Sequence, residues 1–178
     1  LTGDDADDPT RVAISNPLFA ETSHLRTSLW QEHLQICQRN LQASQPGCWV
    51  FEIGHVFQPA NQEIVQSARL GGVICGDRRM SRWFTSGKSQ APDYYMARGV
   101  LATVLNSMGL ETQDSFLVDD SRLHPGRAAA VVVEGRALGC FGQLHPMLCS
   151  KYELPDCTYL FDLDFQRLLE AVTRRNLW

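Results

Sequence analysis

No two of the six cysteines (Cys37, Cys48, Cys75, Cys140, Cys149, Cys157) form a C-x-x-C pair, and their spacing is irregular. That argues against a zinc site or a disulfide framework and for free thiols in a reducing compartment. No apolar run approaches membrane-spanning length and no signal-peptide pattern opens the chain, so the expected location is cytoplasmic, with no membrane contact. Basic charge is not in excess either. The formal net charge is -4, and Asp4, Asp5, Asp7 and Asp8 supply four of the negatives, leaving a body near neutrality. A neutral body has no general electrostatic footprint for nucleic acid, so any RNA contact is local or made by another part of an assembly. No Ser or Cys stands in a nucleophile-elbow context, which leaves a hydrolase without its central group.

What the 178 residues do contain, with 44% hydrophobic content, is enough apolar material for one core and one domain. The chain starts at Leu1 with a short acidic segment, which reads as a linker in a fragment of a larger polypeptide. Residues 1–10 are assigned to that linker, 11–172 to the domain and the basic tail 173–178 to the start of another linker.

The organising stretch is Cys48 to Pro59. Trp49, Phe51, Ile53 and Phe57 alternate along it, the period of one face of a strand, which puts Glu52 and Gly54 on the other. Val50 and Val56 are apolar there too, so the strand is expected inside a covered sheet. An acid beside a glycine on a covered strand has two requirements. Glu52 needs a partner, because a buried unpaired carboxylate is costly, and Gly54 leaves room for something to come close.

Around this strand, Arg11–Ser15 reads as a short strand stopped at Asn16-Pro17. Ser28 and Gln31 fit a capping box for a helix through Gln42. Gln58–Gln66 reads as a polar hairpin loop, and Ala68–Cys75 as the returning strand. Gly76–Ala91, with Arg78, Arg79, Arg82, Lys88 and Trp83, is an irregular basic excursion that either touches a phosphate backbone or is simply solvated. Pro92-Asp93 starts a second helix that Gly109 ends. A short strand is expected at Ser115–Val118, a turn at His124–Arg127, and strands at Ala128–Val133, Ala137–Leu144 and Tyr159–Leu163. His145-Pro146 opens a short helix, and Asp164 caps a last one to about Val172. Hairpin-like links dominate, so the fold class is α+β: an antiparallel sheet flanked by helices.

Residue by residue the chemistry is sparse. His124 and His145 are the acid/base candidates, each followed by a proline, and each is better explained as an imidazole anchoring a turn. Asp162 and Asp164 offer paired carboxylates, although Asp164 is accounted for as a cap. Gly135, Gly139 and Gly142 lack the lysine of a phosphate loop and read as interstrand glycines.

Taken together, several motifs resemble the bacterial phenylalanyl-tRNA synthetase beta-subunit family, in its C-terminal, class II synthetase-like part. They are Asn16-Pro17-Leu18 with Glu21, Leu25-Arg26-Thr27-Ser28-Leu29, Phe51 to Phe57, Leu123-His124-Pro125-Gly126-Arg127, Gly142-Gln143-Leu144-His145-Pro146 and Tyr159–Leu163. Trp30, Trp83 and Gly142-Gln143 resemble the cyanobacterial branch. The resemblance implies a class II synthetase-like fold. It also implies a module of an α2β2 phenylalanine-tRNA ligase that packs against the catalytic alpha subunit and supports charging of tRNA(Phe), with ATP and magnesium used by the whole enzyme and none held here. Asn16, Pro17, Leu18, Leu25, Arg26, Glu52, Gly54, His124, Pro125, Gly126, Arg127, His145 and Pro146 are then interface or structural residues, and no residue is catalytic.

In catalytic class II chains the strand resembling F-E-I-G-x-V-F is followed by an arginine that grips the ATP α-phosphate, and then by an acid. Here Gln58, Pro59 and Ala60 follow Phe57. The last motif retains Arg167 but has Asp162 and Asp164 at glycine positions, where carboxylates would repel a triphosphate. Two alternatives stand beside this reading: an active small class II-like ATP-dependent ligase, which nucleotide would stabilise, and a stand-alone interaction module, which would self-associate.

Overall fold

Residues 12–16, 24–60, 63–77, 91–117 and 119–175 are described by the structure, a computed structural model. Their elements follow the order α1 (Trp30–Gln42), β1 (Gly47–Ala60), β2 (Glu63–Gly76), α2 (Tyr94–Ser107), β3 (Thr112–Ser115), β4 (Leu123–Val133), β5 (Arg136–Leu144), α3 (Pro146–Lys151), β6 (Thr158–Asp164) and α4 (Phe165–Arg175). The six strands form one sheet in the order β1-β2-β6-β5-β4-β3, and every pairing is antiparallel. The expected α+β class is therefore what forms.

Alternation along the strands sends side chains into two cores, one on each face. On one face α2 and α4 cover Leu70, Ile74, Phe141, Tyr159 and Leu163. On the other, α1 and α3 enclose Leu34, Cys37, Val73, Cys75, Leu144 and Leu160. In β6 this reads as strict alternation: Tyr159, Phe161 and Leu163 face α2 and α4, whereas Leu160 faces α1.

Several local expectations are corrected. The polar stretch Gln58–Gln66 is not a loop: β1 and β2 pair continuously out to Ala60 and Glu63, because ladder hydrogen bonds hold a two-stranded ribbon even where its side chains are polar. The Ser28–Gln31 capping box does not form, since Leu29 occupies the N-cap and no side chain caps the helix. The turn expected at His124–Arg127 lies inside β4, as a register shift between Leu123 and Ala128. The short strand before it is Thr112–Ser115, upstream of the expected position, and of the strand expected at Arg11–Ser15 the described residues, from Val12 on, form an isolated bridge, Ala13 to His24. Asp93 caps α2, with its carboxylate accepting from the Met96 amide at 2.7 Å, and Asp164 accepts from the Arg167 amide at 3.0 Å.

The covered-sheet expectation for β1 holds for one face only. β1 is an edge strand; its Glu52 and Gly54 face lies under the segment leading into α1, while Phe51 and Ile53 on the other face are 72% and 53% exposed. The layer of α2 and α4 stops short of the edge. It leaves an apolar groove of about 450 Å³ lined by Trp49, Phe51, Ile53, Val100, Val104 and Phe165 among others.

Candidate functional site

The face of the sheet under α1 carries two linked groups of charges. The first answers the requirement posed by Glu52. The Arg26 Nη2 donates to Glu52 Oε1 at 2.7 Å, Nη1 donates to Glu32 Oε2 at 3.2 Å, and Nε donates to the His55 carbonyl at 2.9 Å. The main chain of Arg26 also caps the β1 edge, its carbonyl accepting from the Phe57 amide at 2.9 Å. Gly54 makes this possible: a Cβ there would collide with Arg26 Nη2 and stand 2.5 Å from Glu52 Oε1. Burial alone would lower the Arg26 pKa, but the Glu52 and Glu32 carboxylates more than offset it and raise it.

Beneath this pair lies His33, 1% exposed, with Nε2 3.7 Å from Glu52 Oε2 and neither ring nitrogen hydrogen-bonded. Burial depresses its pKa, with Glu52 pulling the other way, which holds the imidazole neutral. Sequence reasoning missed His33. The signal was present, since Leu29, His33 and Cys37 fall at i, i+4 and i+8 and thus on the buried stripe of α1.

The second group centres on Asp162. Its two carboxylate oxygens are each taken by a different arginine: Arg69 Nε donates to Oδ1 at 2.8 Å, and Arg122 Nη1 donates to Oδ2 at 2.7 Å. Arg122 is further held by Asp120, through Nε at 2.9 Å and Nη2 at 2.6 Å, and it approaches the Cys140 sulfur at 3.4 Å. Burial would raise the Asp120 pKa, yet the Arg122 guanidinium holds it below the usual carboxylate range. Arg69, Arg122 and Asp162 line a cavity of about 410 Å³, together with Gln58, Ser67 and Trp30. Sequence reasoning left Asp162 alone and did not select Arg69 or Arg122. Their separations, 93 residues for Arg69 and 40 for Arg122, carry no local signal.

Binding of ATP with magnesium would require free cationic donors and a group of metal-holding carboxylates in this cavity. Gln58 stands at its rim in place of the expected arginine, and both guanidiniums lining it are already paired to carboxylates. Among the described residues no group of three His, Cys, Asp or Glu side chains is placed to hold a metal ion. The donor set therefore does not fit a metal-bound triphosphate.

The other selected residues lie apart from these two groups. The Leu25 amide donates to the Val12 carbonyl at 2.8 Å, and Asn16 is exposed at the end of that bridge; Pro17 and Leu18 lie outside the described residues, as does most of the basic excursion. His124 Nδ1 accepts from the Gly126 amide at 3.1 Å, and His145 Nδ1 accepts from the Met147 amide at 3.2 Å, with Pro146 opening α3. His124 thus braces the irregularity inside β4, and His145 caps the N-terminus of α3. Arg127 donates to the buried Gln143 Oε1 at 2.8 Å beside the exposed Pro125, and Gln143 Nε2 donates to the Asp156 carbonyl at 2.7 Å. Arg167 is tied to the Ala137 carbonyl at 2.9 Å. All six cysteines are free, and among the described residues no helix is long and apolar enough to cross a membrane.

Comparison with known proteins gives a consistent result. A family model described as the phenylalanyl tRNA synthetase beta chain CLM domain matches residues 1–165. The phenylalanine--tRNA ligase beta subunit of Synechococcus sp. (strain CC9902) is 61% identical over 173 residues, 97% of this chain and 21% of that protein. The beta subunit of Synechococcus sp. (strain CC9605) is 63% identical over 168 residues, 94% of this chain and 21% of that protein. The beta subunit of Prochlorococcus marinus (strain MIT 9313) is 56% identical over the whole chain and 22% of its own length. The chain thus spans about a fifth of the length of these relatives. Among solved structures, the pyrrolysyl-tRNA synthetase of Desulfitobacterium hafniense superposes with a TM-score of 0.56 at 15% identity, over 90% of this chain and 52% of that one. This shows a class II synthetase-like fold.

Proposed function

Because this chain belongs to the phenylalanyl-tRNA synthetase beta chain family, over the domain its CLM model describes, we propose that it is a structural module without a catalytic site of its own. In that role it packs against the catalytic alpha subunit of an α2β2 phenylalanine-tRNA ligase in the cytoplasm. It supports ATP- and magnesium-dependent charging of tRNA(Phe), chemistry that takes place outside this chain. Asn16, Pro17, Leu18 and the Leu25–Arg26 segment are the residues the family resemblance assigns to the packing. Gln58, in place of an arginine, supports the absence of adenylation here.

The observation that carries the reading is the open groove over β1. Phe51 and Ile53 stand exposed beside Val100, Val104 and Phe165 in a surface almost wholly apolar. A soluble monomer seldom leaves such a surface contiguous and uncovered, so the reading makes it contact surface within the synthetase.

The test mixes the purified chain with the matching alpha subunit and follows the mixture by size-exclusion chromatography. A stable complex is expected, weakened by Phe51→Asp and Ile53→Asp, which alter the groove and leave the melting temperature unchanged. ATP–pyrophosphate exchange with phenylalanine by this chain alone, or failure to bind alpha, would reject the reading.

A further inference from the structure

Arg69 and Arg122 reach the same cavity wall from β2 and from the turn before β4, and two guanidiniums so placed make an oxyanion site. The structure already contains an oxyanion there. Asp162 gives one oxygen to each arginine, in the geometry an external phosphate or carboxylate would adopt between them.

We infer that Asp162 is a built-in anion that closes this cavity to phosphate, and that the cavity is otherwise a phosphate-binding site. Three observations lead there. First, Asp162 faces the cavity because β6 alternates, with Leu160 and Asp162 on the α1 face and Phe161 and Leu163 on the other. Second, the positions opposite Asp162 in the flanking strands are Gly71 and Cys140, small residues that leave the two arginines free to converge on it. Third, Arg69 and Arg122 keep roughly a quarter of their side chains exposed, so an anion from solvent can reach them once the carboxylate charge is gone. Asp120 holds the far side of Arg122 and keeps its fork aimed inward. Ser67, also on the wall, supplies a hydroxyl donor for an oxyanion.

This inference rests on the scaffold reading and explains how a class II synthetase-like fold refuses nucleotide. Its test is calorimetric titration of inorganic phosphate, and separately of ATP, into the chain and into Asp162→Asn, which keeps the side-chain shape and removes the charge. The unaltered chain should take up neither. The variant should bind phosphate at least about tenfold more tightly, with affinity falling as salt rises, and adding Arg122→Gln should abolish the gain.

Should Asp162→Asn not fold, phosphate is expected to restore its circular dichroism and raise its melting temperature, since a ligand that binds only the folded state stabilises it. Failure of that rescue overturns the inference. So does a folded Asp162→Asn that binds no phosphate, which leaves the scaffold reading standing. Phosphate uptake by the unaltered chain equal to that of the variant would also overturn it, and ATP uptake by the unaltered chain would overturn both.

Discussion

The guanidinium of Arg26 occupies the space in which a side chain at Gly54 would stand. An acid and a glycine adjacent on one strand face are therefore parts of one device. The glycine admits the cation, and the cation neutralises the acid two residues away. Gly54→Ala should displace Arg26, loosen the Glu52 pair and uncap the β1 edge. Both partners are about a third exposed, so the loss is ~1–2 kcal/mol, or about 2–4 °C per kcal/mol in a melting curve. Gly72→Ala should cost more, because its Cβ meets the Phe161 ring and the Val50 carbonyl, where nothing flexible can give way.

His33 predicts an acid-sensitive stability. Its folded pKa lies below the ordinary imidazole value, so the unfolded chain takes up the proton first. The contribution is fully present above about pH 6.5 and is lost as pH falls from there through the depressed folded value. Melting temperatures measured between neutral and mildly acidic pH should fall, and His33→Leu should flatten that part of the slope. An unchanged slope in the variant would show that other groups carry it.

Gln143 links Arg127 to the Asp156 carbonyl from a buried position. Gln143→Leu removes both hydrogen bonds from this half-buried site, at a cost of about 1 kcal/mol. Urea denaturation should report a lower midpoint with an unchanged slope. A midpoint equal to that of the parent would mean that water replaces the amide.

Thiol chemistry should follow burial. Cys37, Cys75, Cys140 and Cys149 are buried, and burial pushes the Cys140 thiol up to about 12 and Cys149 up to about 11. A thiol reagent applied to the native chain should therefore label Cys48 and Cys157 first and slowly, and the buried four only on unfolding. Mass spectrometry of the labelled peptides reads the order directly.

Much of this was legible in the sequence because it is local. The strand around Phe51–Phe57, the proline-led start of α3 at His145 and the cap at Asp164 all depend on neighbours within a few residues, where alternation and capping chemistry operate. The demand of Glu52 for a partner was legible too, and the motif containing Arg26 supplied it. The network around Asp162 was not, because its arginines come from β2 and from the turn before β4 and meet only when the sheet assembles. The length of the β1–β2 hairpin also escaped, since polar residues at its tip resemble a loop and only backbone pairing distinguishes the two. The exposed face of Phe51 and Ile53 read as core, because alternation shows that two faces differ and does not show which one is covered.

The strand order has a consequence for how the molecule assembles. β6 lies between β2 and β5, joining a two-stranded ribbon to a three-stranded meander, yet it is the last strand to be synthesised. Until it arrives, both fragments present raw backbone edges to solvent and to each other, and closing the sheet brings residues 93 apart into register. A chain in which Thr158–Asp164 has yet to pair would therefore hold two half-sheets with open edges, the partly folded form in which it is most exposed to aggregation.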